Sequence, residues 1–199
     1  EVSGVKDGDN LFLLNKYQVI RNIAEALPYV ELEETRVQRK LPDTLLIEIK
    51  EGGDPLAWAQ DGTVWLVSPG GKIVEQRNTV GDYPTIDGCR LLAPSVGTLI
   101  ALDTENDTRW QSLLELLAAL EAADKLGEGD AIHIGNATYL TMDYMGRFSV
   151  ELNYDADFAY KLRTLDAILA SGKIQENMTG TFNMRGEDGK TNFIQNSVK

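Results

Sequence analysis

Residues 56–76 read LAWAQDGTVWLVSPGGKIVEQ. Two apolar runs, 56–60 and 63–68, flank Asp61-Gly62, and Asp-Gly between such runs is a strong hairpin signal. Pro69-Gly70-Gly71 supplies the next turn, and 72–76 continues the sheet as a third strand. Three short strands joined by tight turns form a meander, the simplest antiparallel arrangement. Trp58 and Trp65 flank the first turn and are placed to pair across it, as core residues rather than as a ligand platform.

C-terminal to the meander, 80–92 shows no period, and 99–102 reads as a short strand. Asp103 or Thr104 then caps a helix over 105–123, with Trp110, Leu113, Leu114, Leu117 and Leu120 as its buried stripe and Gly127 as its stop. Strands follow at 131–135, 138–144 and 147–153, with Met145-Gly146 turning between the last two. A helix over 156–170 carries Phe158, Leu162, Leu165, Ile168 and Leu169 and ends at Gly172. The chain closes on strands over 178–185 and 190–195, joined by a turn at 186–189.

N-terminal to the meander, Gly52-Gly53-Asp54-Pro55 reads as a linker. Asn15 is a helix N-cap, and Val19, Ile20, Ile23, Ala24 and Leu27 share one face of a helix over 15–27 that Pro28 ends. Strands are expected over 30–38 and 44–50, with Pro42 and Asp43 in the turn between them. One helix and one hairpin make half of a small α/β sandwich, and such a segment, below about 55 residues, does not close a core alone. The expectation is therefore an α+β chain in two domains. Residues 1–53 would form an incomplete α/β unit, with something N-terminal to it missing. Residues 54–199 would form a larger antiparallel sheet domain with helices.

The composition narrows the function. The formal net charge is −12 over 199 residues, with 31 acidic and 19 basic side chains. That opposes nucleic acid, which needs a basic stripe, and docking on anionic lipid. Cys89 is the single cysteine, so no internal disulfide forms. No run reaches the ~18 apolar residues of a membrane span. The first residue is Glu1 rather than Met, so the sequence reads as a piece of a longer chain.

The sequence offers little catalytic chemistry. His133, the single histidine, sits between Ile132 and Ile134 on a strand, and no nucleophile motif surrounds it. One His and one Cys do not build a common zinc site. Asp7-Gly8-Asp9-Asn10 lacks the order of a calcium loop, and phosphate-loop signatures are absent. The carboxylates Asp143, Glu151, Asp155 and Asp157 leave a two-carboxylate glycan hydrolase, or a peptidoglycan-binding domain, as the alternative. Asp155 and Asp157 more simply satisfy a helix N-terminus. No catalytic, cofactor or metal residues are assigned.

What remains is a surface for a partner chain. The closing strand, Lys190, Thr191, Asn192, Phe193, Ile194 and Gln195, is a terminal strand, and such strands are often sheet edges that accept an added strand. Phe193 and Ile194 point to opposite faces, one to the core and one outward. Proline at Asn192 or Phe193 is expected to block an added strand and leave folding nearly intact, provided the replaced N–H faces outward.

The order of features resembles the FtsQ/DivIB family of bacterial division proteins. Gly8, Asn10, Leu11 and Phe12, then Pro28, Tyr29 and Val30, then Arg39, Pro42, Thr44 and Leu45, look like the landmarks of that family's POTRA domain. That family's POTRA domain begins with a strand and a helix, so the resemblance implies that residues 1–53 lack this first strand and helix, and the run from Pro55 to Val74 resembles the start of the family's β domain. Pro84 to Gly88 and the helix with Lys161, Leu162 and Leu165 resemble later landmarks. Gly52, Ser68 and Asn153 depart from the family pattern at turns. The resemblance implies a non-enzymatic scaffold, the extracytoplasmic part of a single-pass cell-membrane protein at the division septum. It implies FtsB/DivIC-like and FtsL-like partners, bound along the last strand edge and the nearby helix. A POTRA protein of outer-membrane assembly would instead carry tandem POTRA repeats and a barrel.

Overall fold

The computed structural model of the chain describes residues 2–30, 35–103, 107–186 and 190–196. Helix α1, Lys16–Ala26, opens on Asn15, whose side-chain oxygen accepts from the N–H of Tyr17 and of Gln18. Strands β1, Arg36–Lys40, and β2, Thr44–Glu48, pair antiparallel from Arg36↔Glu48 to Lys40↔Thr44. Val19 and Ile23 of α1 bury against Val30 and Val37, with Leu45 and Ile47 partly covered beside them. The strand expected over 30–38 begins at Arg36, and 31–34 lie outside the described residues. Val30 makes an isolated bridge to Glu51.

The rest of the chain builds one nine-stranded sheet in the order β11-β10-β9-β8-β7-β6-β3-β4-β5. The meander is β3 (Leu56–Gln60), β4 (Thr63–Val67) and β5 (Ile73–Arg77), and Trp58 lies directly opposite Trp65. Trp58 is fully buried and Trp65 half-buried, as core residues are. After it come β6 (Thr85–Asp87), helix α2 (Asp107–Ala122), a 3-10 turn at 126–128, and β7 (Gly129–His133). Strands β8 (Tyr139–Tyr144) and β9 (Phe148–Asn153), helix α3 (Phe158–Ala170), and strands β10 (Gly180–Asn183) and β11 (Asn192–Gln195) complete the chain.

The sheet is mixed rather than purely antiparallel. The pairs β3–β6, β6–β7 and β9–β10 are parallel. Parallel neighbours need a crossover of a dozen or more residues, and α2 and α3 provide it between β6 and β7 and between β9 and β10. Strand β6 falls in the segment that shows no sequence period. It holds three residues with one buried apolar side chain, Ile86, too few for an alternation to register. The stretch at 99–102 forms isolated bridges, Lys72↔Leu99 and Leu91↔Leu102, rather than a strand.

Both helices lie on one face of the sheet. Leu113, Leu116, Leu117 and Leu120 of α2 and Phe158, Leu162 and Leu165 of α3 meet Leu140, Met142, Val150, Leu152 and Phe182 from the strands. Each such side chain contributes about 1.5–3 kcal/mol of transfer free energy on burial. Leu116 carries the α2 stripe where Leu114, expected there, is half-buried. Lys125 pins the helices to the sheet through Glu128 at 2.9 Å, Asp166 at 3.0 Å and the Tyr144 hydroxyl at 3.3 Å. The opposite face of β3–β5 has its own small core of Ala57, Val64, Leu66 and Val74 under Val80 and Tyr83. From β6 to β11 that opposite face is polar, with Asp87, His133, Thr141, Asp143, Ser149, Glu151 and Thr181 on it by strand alternation.

Candidate functional site

Strand β11 ends the sheet order, with β10 beside it and no other strand paired to it among the described residues. Lys190 and Thr191 precede it, and Asn192, Phe193, Ile194 and Gln195 form it. Phe193 packs inward against Phe182, at 4.7 Å between ring centroids, and Phe148, at 6.1 Å. Ile194 points to the other face and stays 61% exposed. Gly180 makes room for this seat. A Cβ there would stand 2.3 Å from the Ile194 carbonyl oxygen and 2.8 Å from the Phe193 ring.

The ladder fixes which backbone groups face outward. The N–H of Asn196 donates to the Thr179 carbonyl at 2.9 Å, so Thr179 and Asn196 are a hydrogen-bonded pair. Directly opposite pairs alternate in an antiparallel ladder. Ile194 and Asn192 therefore exchange bonds with Thr181 and Asn183, while Phe193 and Gln195 aim their N–H and C=O away from β10. This corrects the expectation for proline substitutions. Proline at Asn192 removes an inward donor. Proline at Phe193 spares the ladder but deletes the half-buried ring. Gln195, exposed and outward-bonded, is the position where proline alters the edge alone.

The two rims of the sheet differ. On the outer side of β5, the N–H of Ile73 donates to Thr98 at 2.8 Å and Gly97 donates back to Ile73 at 2.7 Å. The chain itself thus covers the start of that rim. Beside the far rim, the loop after β10 and the start of α3 enclose a shallow depression of about 240 Å³ lined by Asp155, Tyr160, Lys161 and Arg185 among others. The Lys161 ammonium donates to the Gly186 carbonyl at 2.8 Å, and the Arg185 guanidinium lies 4.1 Å over the Tyr139 ring and 3.9 Å from Glu151.

The candidate carboxylates have other partners. Asp157 caps α3 by accepting from the Tyr160 N–H at 2.9 Å. Asp143 bonds His133 Nε2 at 3.2 Å, and Asp87 bonds His133 Nδ1 at 2.9 Å. The histidine, which has no nucleophile motif around it in sequence, thus bridges three strands on the polar face. Pairing with residues on β6 and β8 depends on a sheet order that the sequence does not disclose. Burial lowers the His133 pKa, but hydrogen bonds to Asp87 and then Asp143 outweigh it, and the net shift is upward. Among the described residues no group of three or more His, Cys, Asp or Glu side chains is arranged to hold a metal ion. Among them, too, no helix is long and apolar enough to cross a membrane.

A family model for the POTRA domain, FtsQ-type, matches residues 1–51. Cell division protein DivIB of Clostridium botulinum strain Hall is 32% identical over 85 residues, which is 43% of this chain and 32% of the relative. The DivIB of strain Loch Maree matches with the same identity and coverage. The match thus spans about a third of the length of these relatives. The matched 1–51 segment holds α1, β1 and β2, and the Gly8–Phe12, Pro28–Val30 and Arg39–Leu45 landmarks fall within it. Residues 1–51 thus match an FtsQ-type POTRA domain, and over 85 residues the chain is similar to the DivIB cell division proteins.

Proposed function

We propose that this chain is the extracytoplasmic part of a single-pass cell-division membrane protein and acts as a non-enzymatic scaffold at the septum. In this reading residues 1–53 are the POTRA domain and residues 54–199 the β domain. The partner is the ectodomain of an FtsB/DivIC-like protein, together with an FtsL-like one, and it adds a strand along Lys190, Thr191, Asn192, Phe193, Ile194 and Gln195. The support is the asymmetry of the rims: 97–98 cover the start of β5, while Phe193 and Gln195 turn backbone groups outward that find no partner strand among the described residues. Backbone pairing gives such a site affinity, and side chains on alternate positions give it specificity. The exposed Ile194 and the half-buried Phe193 supply one such position on each face.

The test is capture of a DivIC-type ectodomain by the wild-type chain and by Gln195→Pro. Binding should fall at least tenfold while the thermal midpoint stays within a few degrees. Unchanged capture by a folded Gln195→Pro protein would remove the edge from the account.

A further inference from the structure

We propose that Lys72 orients the N-terminal helix–hairpin unit on the nine-stranded sheet, so that the two move as one body rather than swinging about Gly52-Gly53. Lys72 stands just before β5 and is 4% exposed, although lysine is among the residues least often buried. Its ammonium donates to the carbonyl of Ala24 at 3.1 Å and of Val30 at 3.4 Å. Ala24 lies in the last turn of α1, where the final four carbonyls of a helix lack intrahelical donors. A cation there also meets the negative end of the helix dipole. Helix α1 has no basic residue of its own in its last turn. The charge that caps this helix is therefore supplied from the sheet, across the junction.

Lys72 is itself held in place. Its N–H donates to the Ser68 hydroxyl at 3.2 Å, and its backbone bridges to Leu99. A second contact lies at Glu75 of β5. The Tyr29 hydroxyl donates to Glu75, which the Arg77 guanidinium grips at 2.6 Å, and Arg77 lies 5.2 Å over the Tyr83 ring. Burial and then the Glu75 hydrogen bond push the Tyr29 hydroxyl up to about 12. Two anchors, one just before β5 and one within it, remove rotation as well as separation. The connecting residues are crowded too, since a Cβ on Gly53 would meet Glu121 at 2.9 Å and Pro69 at 3.1 Å.

Paired spin labels measure this directly. Tyr17→Cys, at an 85% exposed site on α1, and Lys173→Cys, at an exposed site beyond α3, would carry the labels in a Cys89→Ser background. The labelled parent should give one narrow distance distribution. Lys72→Met should at least double its width, while backbone NMR shifts remote from position 72 hold in both units. A broad distribution in the parent would overturn rigid docking. A narrow one in both proteins would take the role away from Lys72. Should Lys72→Met not fold, Lys72→Gln is read in the same way.

Discussion

Phe182 and Phe193 face each other across the last two strands as a non-hydrogen-bonded pair, with ring centroids 4.7 Å apart and planes tilted by 39°. This contact seats the edge strand through a side chain, while its outer backbone meets no other strand among the described residues. Phe193→Ala should therefore destabilise the fold by about 1–3 kcal/mol, below the cost of a fully buried Phe because the ring is half-covered. Gln195→Pro should cost less than about 0.5 kcal/mol, as surface changes away from ladders do. Urea unfolding of both variants separates the two effects.

Gly180→Ala tests the same seat from below. The added methyl has no space under the Ile194 carbonyl and the Phe193 ring. Overpacking of this kind costs about 1–3 kcal/mol. Amide exchange should quicken at 192–195 and remain slow in β8 and β9.

His133 gives the fold a pH dependence of known sign. Its folded pKa is raised above 6.5, chiefly through Asp87 and Asp143. The stabilisation is fully present below the unfolded value, near 6.5, and is lost as pH rises through the folded one. The side chain is 38% exposed, so solvent screening holds the effect below about 1 kcal/mol. NMR titration of the ring should place its pKa above 6.5 in the wild type. Asp87→Asn should bring it down, and an unshifted titration in that variant would break the assignment.

The caps are independent of all this. Asn15→Ala removes the acceptor for Tyr17 and Gln18, and Asp157→Ala the acceptor for Tyr160. Each should lower stability by about 1 kcal/mol in chemical denaturation. Lying at the starts of different helices with no shared partner, the two losses should add.

Local chemistry was readable wherever it decided the structure. Asp61-Gly62, Met145-Gly146 and the Trp58–Trp65 pair needed only neighbours in sequence, and they stand as read. Strand β6 was hidden because two flanking strands, distant in the chain, hold it in the sheet, not its own three residues. The His133 bridge was hidden for the same reason. At the edge, the sequence marks β11 as terminal and its Phe and Ile as opposed. Which N–H faces outward depends on a register fixed by the Asn196–Thr179 bond, and periodicity carries no phase for that.

The covered margin at β5 and the open one at β11 also set how far assembly can go. A second chain laid beside Gln195 finds no matching vacancy where Gly97 already bonds Ile73. A copy added head to tail would meet a covered stretch at Ile73, whereas two copies set β11 to β11 would join like margins. The block at Ile73 thus gives the sheet a polarity, favouring extension of a β ribbon from the β11 end over the β5 end.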